Sequence, residues 1–121
     1  MLLKSIKLIN IRSYLSQKID FPIGSLLLSG DIGSGKSTIL LAIEFALFGS
    51  NPAELPASSL LRHGKNEGSV ELIFELEGKG IIVKRNLKKG KNGIKQEIGY
   101  IITDGLKKEL SPIEMKSHDF D

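Results

Sequence analysis

Residues 30–37, which read GDIGSGKS, match the phosphate-binding loop pattern G-x-x-x-x-G-K-[ST] at every fixed position. The glycines let the backbone curl with positive φ and approach a pyrophosphate group without an intervening Cβ atom. Successive backbone N–H groups can then point into one concavity that holds anionic oxygens. The residues expected to build this cradle are Gly30, Gly33, Ser34 and Gly35.

Two side chains at the end of the pattern could carry the chemistry. Lys36 is placed to reach the β- and γ-phosphates of a nucleoside triphosphate, and it is the candidate catalytic residue. The hydroxyl of Ser37 is placed to coordinate Mg²⁺. The pattern therefore predicts a nucleoside triphosphate and Mg²⁺ as ligands.

The flanking segments have the patterns of the elements that must position this loop. Residues 26–29 are a short apolar stretch typical of a strand buried on both faces. Residues 38–48 are long enough for about three helical turns and are followed by Gly49 and Pro52, which end helices. Strand, glycine loop and helix in this order place the helix N-terminus against the phosphates. The chain is therefore predicted to bind a nucleoside triphosphate, or to come from a protein that does.

The composition is that of a globular domain. The chain has 121 residues, a net charge of +3, no cysteine and two histidines, which leaves no disulfide, thiolate metal site or histidine metal cluster. The longest apolar runs, 39–43 and 45–48, are far shorter than the ~20 residues of a membrane span. No signal peptide is evident, so we expect a cytoplasmic protein with no membrane partner.

Outside the motif, the chain predicts mostly strands. Residues 2–11 alternate imperfectly and predict a first strand, residues 19–21 a short second one, and residues 58–62 a helical turn. An antiparallel meander is expected over 69–110, with strands at 70–76, 81–87, 94–103 and 106–110 and a hairpin loop at 88–93.

Within the first of these meander strands, residues 70–76, apolar and acidic residues alternate. Val70, Leu72 and Phe74 share one face, which predicts a half-buried strand. The opposite face is expected to be solvated and carries Glu71, Glu75 and, just beyond the strand, Glu77.

The predicted fold class is therefore α/β, with a P-loop NTPase core over residues 1–49 followed by the antiparallel meander. A capping box at Ser111 and Glu114, with Pro112 at the first helical position, predicts a helix that is cut short near residue 121.

A basic stretch runs from Lys79 to Lys95, with seven lysines and arginines and no acidic residue. One hypothesis is that Lys88, Lys89 and Lys91 bind the phosphate backbone of double-stranded DNA. The alternative is a solvated hairpin whose lysines protect a sheet edge from aggregation. Aromatic residues are scarce here, so stacking on single-stranded bases is not indicated.

Several segments in succession resemble the N-terminal half of the SMC family of chromosome ATPases. The resemblance is greatest to the SbcC-type repair ATPases that partner a nuclease. The segments that carry it are 9–14 (INIRSY), 19–21 (IDF), 30–37, 42–49 (AIEFALFG), 60–64 (LLRHG) and 69–75 (SVELIFE).

This resemblance implies an ABC-type ATPase head that binds Mg²⁺ and ATP. It places Arg12 and Ser13 in a loop that touches the nucleotide, and Lys36, Ser37 and Thr38 at the phosphates and Mg²⁺. Arg62 and His63 align with a region near the base and ribose. Ile32 departs from the family, which usually has asparagine before the middle glycine.

Other parts of such a head are not found in this sequence. No Asp-Glu pair follows an apolar run, and no serine- and glycine-rich signature or glutamine loop is present. The resemblance therefore implies a partial head that requires a C-terminal half and a second protomer for hydrolysis. Its implied partners include a nuclease subunit and double-stranded DNA.

Two other functions remain open from the sequence. The chain could be a self-contained nucleotide-binding regulatory module that does not hydrolyse its ligand. It could also be the nucleotide-binding domain of an ABC transporter, although the NIRSY stretch at 10–14 argues against that interpretation.

Overall fold

The computed structural model describes residues 2–21, 35–49, 57–91, 93–103 and 106–110; for residues 35–37 and Leu110 it describes the backbone alone. The predicted strand at 26–29, the helix expected from Ser111 and the glycines Gly30 and Gly33 lie outside the described residues.

Six strands of the described chain form one antiparallel sheet, in the order β2-β1-β3-β4-β5-β6. The strands are β1 (Leu2–Ile11), β2 (Tyr14–Asp20), β3 (Glu67–Leu76), β4 (Lys79–Gly90), β5 (Gly93–Thr103) and β6 (Leu106–Leu110). One α-helix, α1 (Gly35–Phe48), and a short 3-10 helix (Ala57–Ser59) are also described.

Several strands are longer than predicted. β3 begins at Glu67 and not at residue 70, and β4 begins at Lys79 and not at residue 81. Two further boundaries change where predicted residues lie. β2 begins at Tyr14 and not at residue 19, because the start of this edge strand pairs with β1 although its side chains are mostly exposed and give no alternating pattern. β4 continues to Gly90, so Lys88 and Lys89 lie on a strand and not in the expected loop. A sheet ladder extends here through main-chain hydrogen bonds, which side-chain polarity does not reveal.

Helix α1 packs against β1, β3 and β4, on the sheet face that we call the inner face. The strand alternation explains why this face is apolar: Ile6 lies opposite Leu72, and Leu72 lies opposite Val83. The buried residues of this interface are Ile6, Leu8, Ile39, Ala42, Phe45, Ala46, Val70, Leu72, Phe74, Ile81, Val83 and Leu87.

The C-terminus of α1 lies against Arg85 of β4. Arg85 shares the inner face with Val83 and Leu87 and is completely buried. Its Nε donates to the carbonyl of Ala46 at 2.8 Å and its Nη2 donates to the carbonyl of Leu47 at 3.3 Å. Arg85 therefore caps the helix and does not belong to a basic surface.

The acidic residues of β3 predicted that the opposite, outer face of the sheet is solvated. Two of these residues instead form contacts with other strands. Glu71 is half-buried and accepts a hydrogen bond of 2.8 Å from the Tyr100 hydroxyl, across the intervening strand β4. Glu75 forms a 3.5 Å ion pair with Lys4. Burial, the hydrogen bond and the negative charge of Glu71 raise the pKa of Tyr100 to about 12.

Within the described residues, no helix is long and apolar enough to cross a membrane.

Candidate functional site

The first turn of α1 lies within the phosphate-loop motif. Gly35, Lys36 and Ser37 are the first three residues of the helix, whereas Gly30, Gly33 and Ser34 lie outside the described residues. The N–H groups of a first helical turn have no partner inside the helix, and the helix dipole is positive at this end. This end of α1 therefore offers the donors and the field that an anionic phosphate needs.

Thr38 follows directly and lies on the buried side of α1, with 4% of its surface exposed. Ile39 and Ala42 on the same side are also buried. This packing fixes the start of the helix against the sheet.

A second group of predicted site residues is brought together from two distant segments. The turn between β1 and β2 contains Arg12 and Ser13, and the segment after the 3-10 helix contains Arg62 and His63. Arg12 N–H donates to the Leu60 carbonyl at 2.9 Å, and Arg62 N–H donates to the Asn10 carbonyl at 2.8 Å. The Arg62 side chain also donates, through Nη1, to the Arg12 carbonyl at 2.9 Å.

The backbone of this turn has an uncommon geometry. Asn10 and Arg12 have φ of 52° and 48°, a left-handed conformation that asparagine tolerates and arginine rarely adopts. The Asn10 side chain donates from Nδ2 to the Glu67 carbonyl at 2.9 Å, which anchors the turn to β3. Strained residues held by surrounding hydrogen bonds are frequent at ligand sites.

The charges at this turn can act on a ligand. Arg12 and His63 are exposed and Arg62 is half-buried. Among the described residues, neither arginine forms a salt bridge. Two guanidinium-bearing residues in direct contact, without a carboxylate between them, suit an anionic or planar ligand.

Gly68 on β3 lies against the backbone of residues 9 and 10, just before this turn. This role was not predicted from the sequence. A Cβ at Gly68 would lie 2.9 Å from the Ile9 carbonyl oxygen and 3.0 Å from that of Asn10. It would also lie 2.8 Å from Cδ1 of Leu61. A glycine within a strand often marks such a close approach of another backbone, and this is the signal that could have found it.

The predicted basic stretch is divided by the fold. Lys88, Lys89 and Lys91 are exposed at the β4–β5 hairpin, where Lys88 lies directly opposite Lys95. The residues that line a groove there are Lys88, Gly90, Lys91, Lys95 and Glu97. The other basic residues lie elsewhere: Lys79 at the far end of β4, Lys84 on the outer face and Arg85 in the core.

Comparison with known proteins finds this chain similar to DNA double-strand break repair ATPases, to a recombination mediator protein and to an SMC head domain. The AAA_23 family model, an AAA domain, matches residues 5–119. A DNA double-strand break repair Rad50 ATPase of Methanococcus maripaludis is 40% identical over 85 residues, which are 70% of this chain and 9% of that protein.

Two solved structures share the fold. The recombination mediator protein RecF, solved with ATP, has a TM-score of 0.61 at 26% identity over 88% of this chain and 27% of its own. The SMC head domain from Thermotoga maritima has a TM-score of 0.50 at 26% identity over 89% of this chain and 39% of its own.

These similarities confirm the predicted resemblance to SMC- and SbcC-like ATPase heads. They also confirm the predicted fold class, a mixed α/β part of an ATPase head, although the described sheet is antiparallel throughout. The chain spans about a tenth of the length of the Rad50 relatives it matches, from 9% to 12%.

We expect Gly68→Ala to lower the free energy of unfolding by about 1–3 kcal/mol, because backbone oxygens on β1 must shift to admit the methyl group. Urea unfolding monitored by circular dichroism measures this change. Gly80→Ala is the matched control, since a Cβ there meets nothing within 4 Å. Equal stability of the two variants would contradict the close approach at Gly68.

Proposed function

Because the chain belongs to the AAA_23 family of AAA domains, we propose that it is the ATP-binding N-terminal segment of an SMC/SbcC-like DNA repair ATPase head. The observation that carries this proposal is the start of α1 at Gly35, inside the complete G-x-x-x-x-G-K-S motif. A helix that begins inside this motif puts its N-terminus at the phosphates.

Each residue of the motif has a role in this proposal. Gly30, Gly33, Ser34 and Gly35 supply backbone N–H groups to the phosphates, and Lys36 supplies a positive charge at the β- and γ-phosphates. Ser37 supplies a hard hydroxyl oxygen, the donor type that Mg²⁺ prefers. Bound Mg²⁺ would neutralise charge that develops on the transferred phosphoryl group.

We call the β1–β2 turn that contains Arg12 and Ser13, together with the segment that contains Arg62 and His63, the arginine turn. In this proposal it is the second contact to the nucleotide. Arg12 and Ser13 approach it from the β1–β2 turn, while Arg62 and His63 lie towards the base and ribose. The support is the direct hydrogen bond between Arg62 and the Arg12 carbonyl, which joins two segments that are 50 residues apart in sequence. Guanidinium groups recognise phosphate oxygens and stack on planar rings, so both parts of a nucleotide suit this turn.

The proposed head requires a C-terminal half, and α1 supports this requirement. Residues 39–48 (ILLAIEFALF) contain a single charged residue, Glu44, so the helix is apolar around most of its circumference. Its outward side includes Leu40 and Phe48, which are 49% and 51% exposed. A helix with apolar residues on all sides is normally covered on all sides. We assign the outward side to the C-terminal half of the same head.

Further partners complete the proposal. A second protomer would close the nucleotide site, and a nuclease subunit would join the assembled heads. Double-stranded DNA would bind the β4–β5 hairpin, where Lys88, Lys89 and Lys91 are exposed and Lys88 lies directly opposite Lys95, so that several cations can reach one phosphate backbone.

Lys36→Ala is expected to abolish measurable Mg²⁺-ATP binding without unfolding the chain, because the β- and γ-phosphates lose their cationic partner. Isothermal titration calorimetry with thermal unfolding measures both quantities. Lys7→Ala, which removes an exposed lysine of β1, is the control and should bind as the unmodified chain does. Retained affinity in Lys36→Ala would mean that the motif is not the binding site.

The double variant Leu40→Ser, Phe48→Ser is expected to bind the separately produced C-terminal half roughly thirtyfold more weakly than the unmodified chain does. The two half-exposed side chains together account for about 2 kcal/mol of apolar burial. Analytical ultracentrifugation of the mixture measures the dissociation constant. Leu15→Ser, on edge strand β2 and 54% exposed, is the matched control. An unchanged dissociation constant in the double variant would mean that the docking face is not on α1.

Glutamine at Lys88, Lys89 and Lys91 is expected to weaken binding to a DNA duplex and to flatten its salt dependence. Each lost phosphate contact reduces the slope of log K against log salt by about 0.9. Fluorescence anisotropy at several salt concentrations measures the slope. Glutamine at Lys7, Lys18 and Lys79 removes the same net charge elsewhere and serves as the control. An unchanged slope in the hairpin variant would exclude the hairpin as the DNA contact.

A further inference from the structure

The buried guanidinium of Arg85 joins the middle of the sheet to the end of the helix that carries the motif. Arg85 lies on β4, which pairs with β3 on one side and β5 on the other. Its side chain is completely inaccessible to solvent and donates to two successive carbonyls of α1, those of Ala46 and Leu47.

The placement of a charge here has a physical cause. An arginine side chain does not lose its proton in proteins, so Arg85 remains cationic in the core. Burial of a charge is costly unless the group is well hydrogen-bonded. The last carbonyls of a helix lack partners within the helix and carry the negative end of its dipole. Two of the guanidinium nitrogens, Nε and Nη2, therefore donate to carbonyls at the negative end of the helix, which offsets part of the cost of burying the charge.

Gly49 allows this contact to be close. It follows α1 with φ of 81°, and its N–H donates to the Phe45 carbonyl at 2.8 Å. A Cβ at this buried position would lie 3.2 Å from Nη1 of Arg85 and 3.0 Å from Oε1 of Gln96 on β5. The helix end, β4 and β5 thus meet at a junction formed by Arg85, Gly49 and Gln96.

We infer that Arg85 is a positioning residue for the nucleotide site: its contact with the C-terminus of α1 determines where the N-terminal turn of α1 lies. This inference rests on the proposed function, since that turn carries Lys36 and Ser37. The helix has 14 residues and is therefore about 20 Å long. A tilt of about 10° at the Arg85 end would move the phosphate-binding turn by roughly 3 Å.

A tilt of α1 and a loss of packing are expected to have different effects, because a tilt changes nucleotide affinity whereas a loss of packing changes stability. Displacements of about 1 Å at a reacting centre can reduce function by two orders of magnitude. A loss of packing without tilt would instead lower the unfolding temperature and leave the affinity of the folded chain unchanged. Affinity measured well below the unfolding temperature separates the two cases.

The experiment uses Arg85→Met and Arg85→Lys, with Lys84→Met as the control. Lys84 is the neighbouring residue on β4 and lies on the outer face, away from α1. Thermal unfolding is recorded first, and the dissociation constant for Mg²⁺-ATP is then measured by calorimetry at a temperature where each variant is folded.

We expect the dissociation constant to rise by about tenfold or more in Arg85→Met and by less in Arg85→Lys, which retains a cation near the helix dipole. Lys84→Met should bind as the unmodified chain does. Unchanged affinity in folded Arg85 variants would overturn the inference, even if their unfolding temperatures fall. Absence of ATP binding by the unmodified chain would instead overturn the proposed function.

If neither Arg85 variant folds, hydrogen exchange of the unmodified chain tests whether the two ends of α1 are coupled. Binding at one end of a rigidly held helix should slow amide hydrogen exchange at the other end. We expect Mg²⁺-ATP to slow exchange of the Gly49 N–H, which bonds to the Phe45 carbonyl beside Arg85. Identical exchange with and without bound Mg²⁺-ATP would overturn the inference.

Discussion

The packing of α1 against the inner face of the antiparallel sheet is the constraint on which the rest of this fold depends. The face is apolar because β1, β3 and β4 present aligned side chains such as Ile6, Leu72 and Val83 to the helix. The hydrophobic effect holds the two layers together without specifying their relative direction. The direction comes from polar contacts at the helix end, where Arg85 binds the Ala46 and Leu47 carbonyls.

The two candidate nucleotide contacts are the first turn of α1 and the arginine turn. They depend on the packing of α1 against the sheet in different ways. The first turn of α1 is held by the packing of the helix on the sheet, since Thr38 and Ile39, which follow Ser37 directly, are buried. The arginine turn is held by main-chain and side-chain hydrogen bonds between the β1–β2 connection and the segment that contains Arg62. The first turn of α1 is therefore positioned by the apolar packing of the helix together with the Arg85 contact at its other end, whereas the arginine turn is positioned by hydrogen bonds.

Charge on this protein is divided according to what each strand position faces. Alternation places Arg85 inward and Lys84 outward on the same strand, although both belong to one basic run in the sequence. The inward charge stabilises a helix end, whereas the exposed charges at the β4–β5 hairpin remain available to an anionic partner. The run therefore combines a structural cation with a candidate DNA-binding surface.

Much of the local structure could be predicted from the sequence, because the signals are local. The 30–37 motif predicts its ligand, and the apolar run that ends at Gly49 predicts α1. The alternation in residues 70–76 predicts β3 and its buried face. The strand period of two, applied to Ile81, Val83 and Leu87, would also have placed Arg85 inward, but residue type suggested a surface instead.

The sequence by itself determined the phosphate-loop motif, the helix after it and most of the strands, because backbone propensity and side-chain period act within a few residues. Only the tertiary structure decided that Arg12 contacts Arg62, that Gly68 must lack a side chain and that Arg85 caps α1. These contacts join residues that are far apart in the chain. Their physical reason is the pairing of β1 with β3 and the packing of α1 across the sheet, which bring the two guanidinium groups within hydrogen-bond distance of main-chain carbonyls that are distant in sequence and bring Gly68 against the backbone of β1.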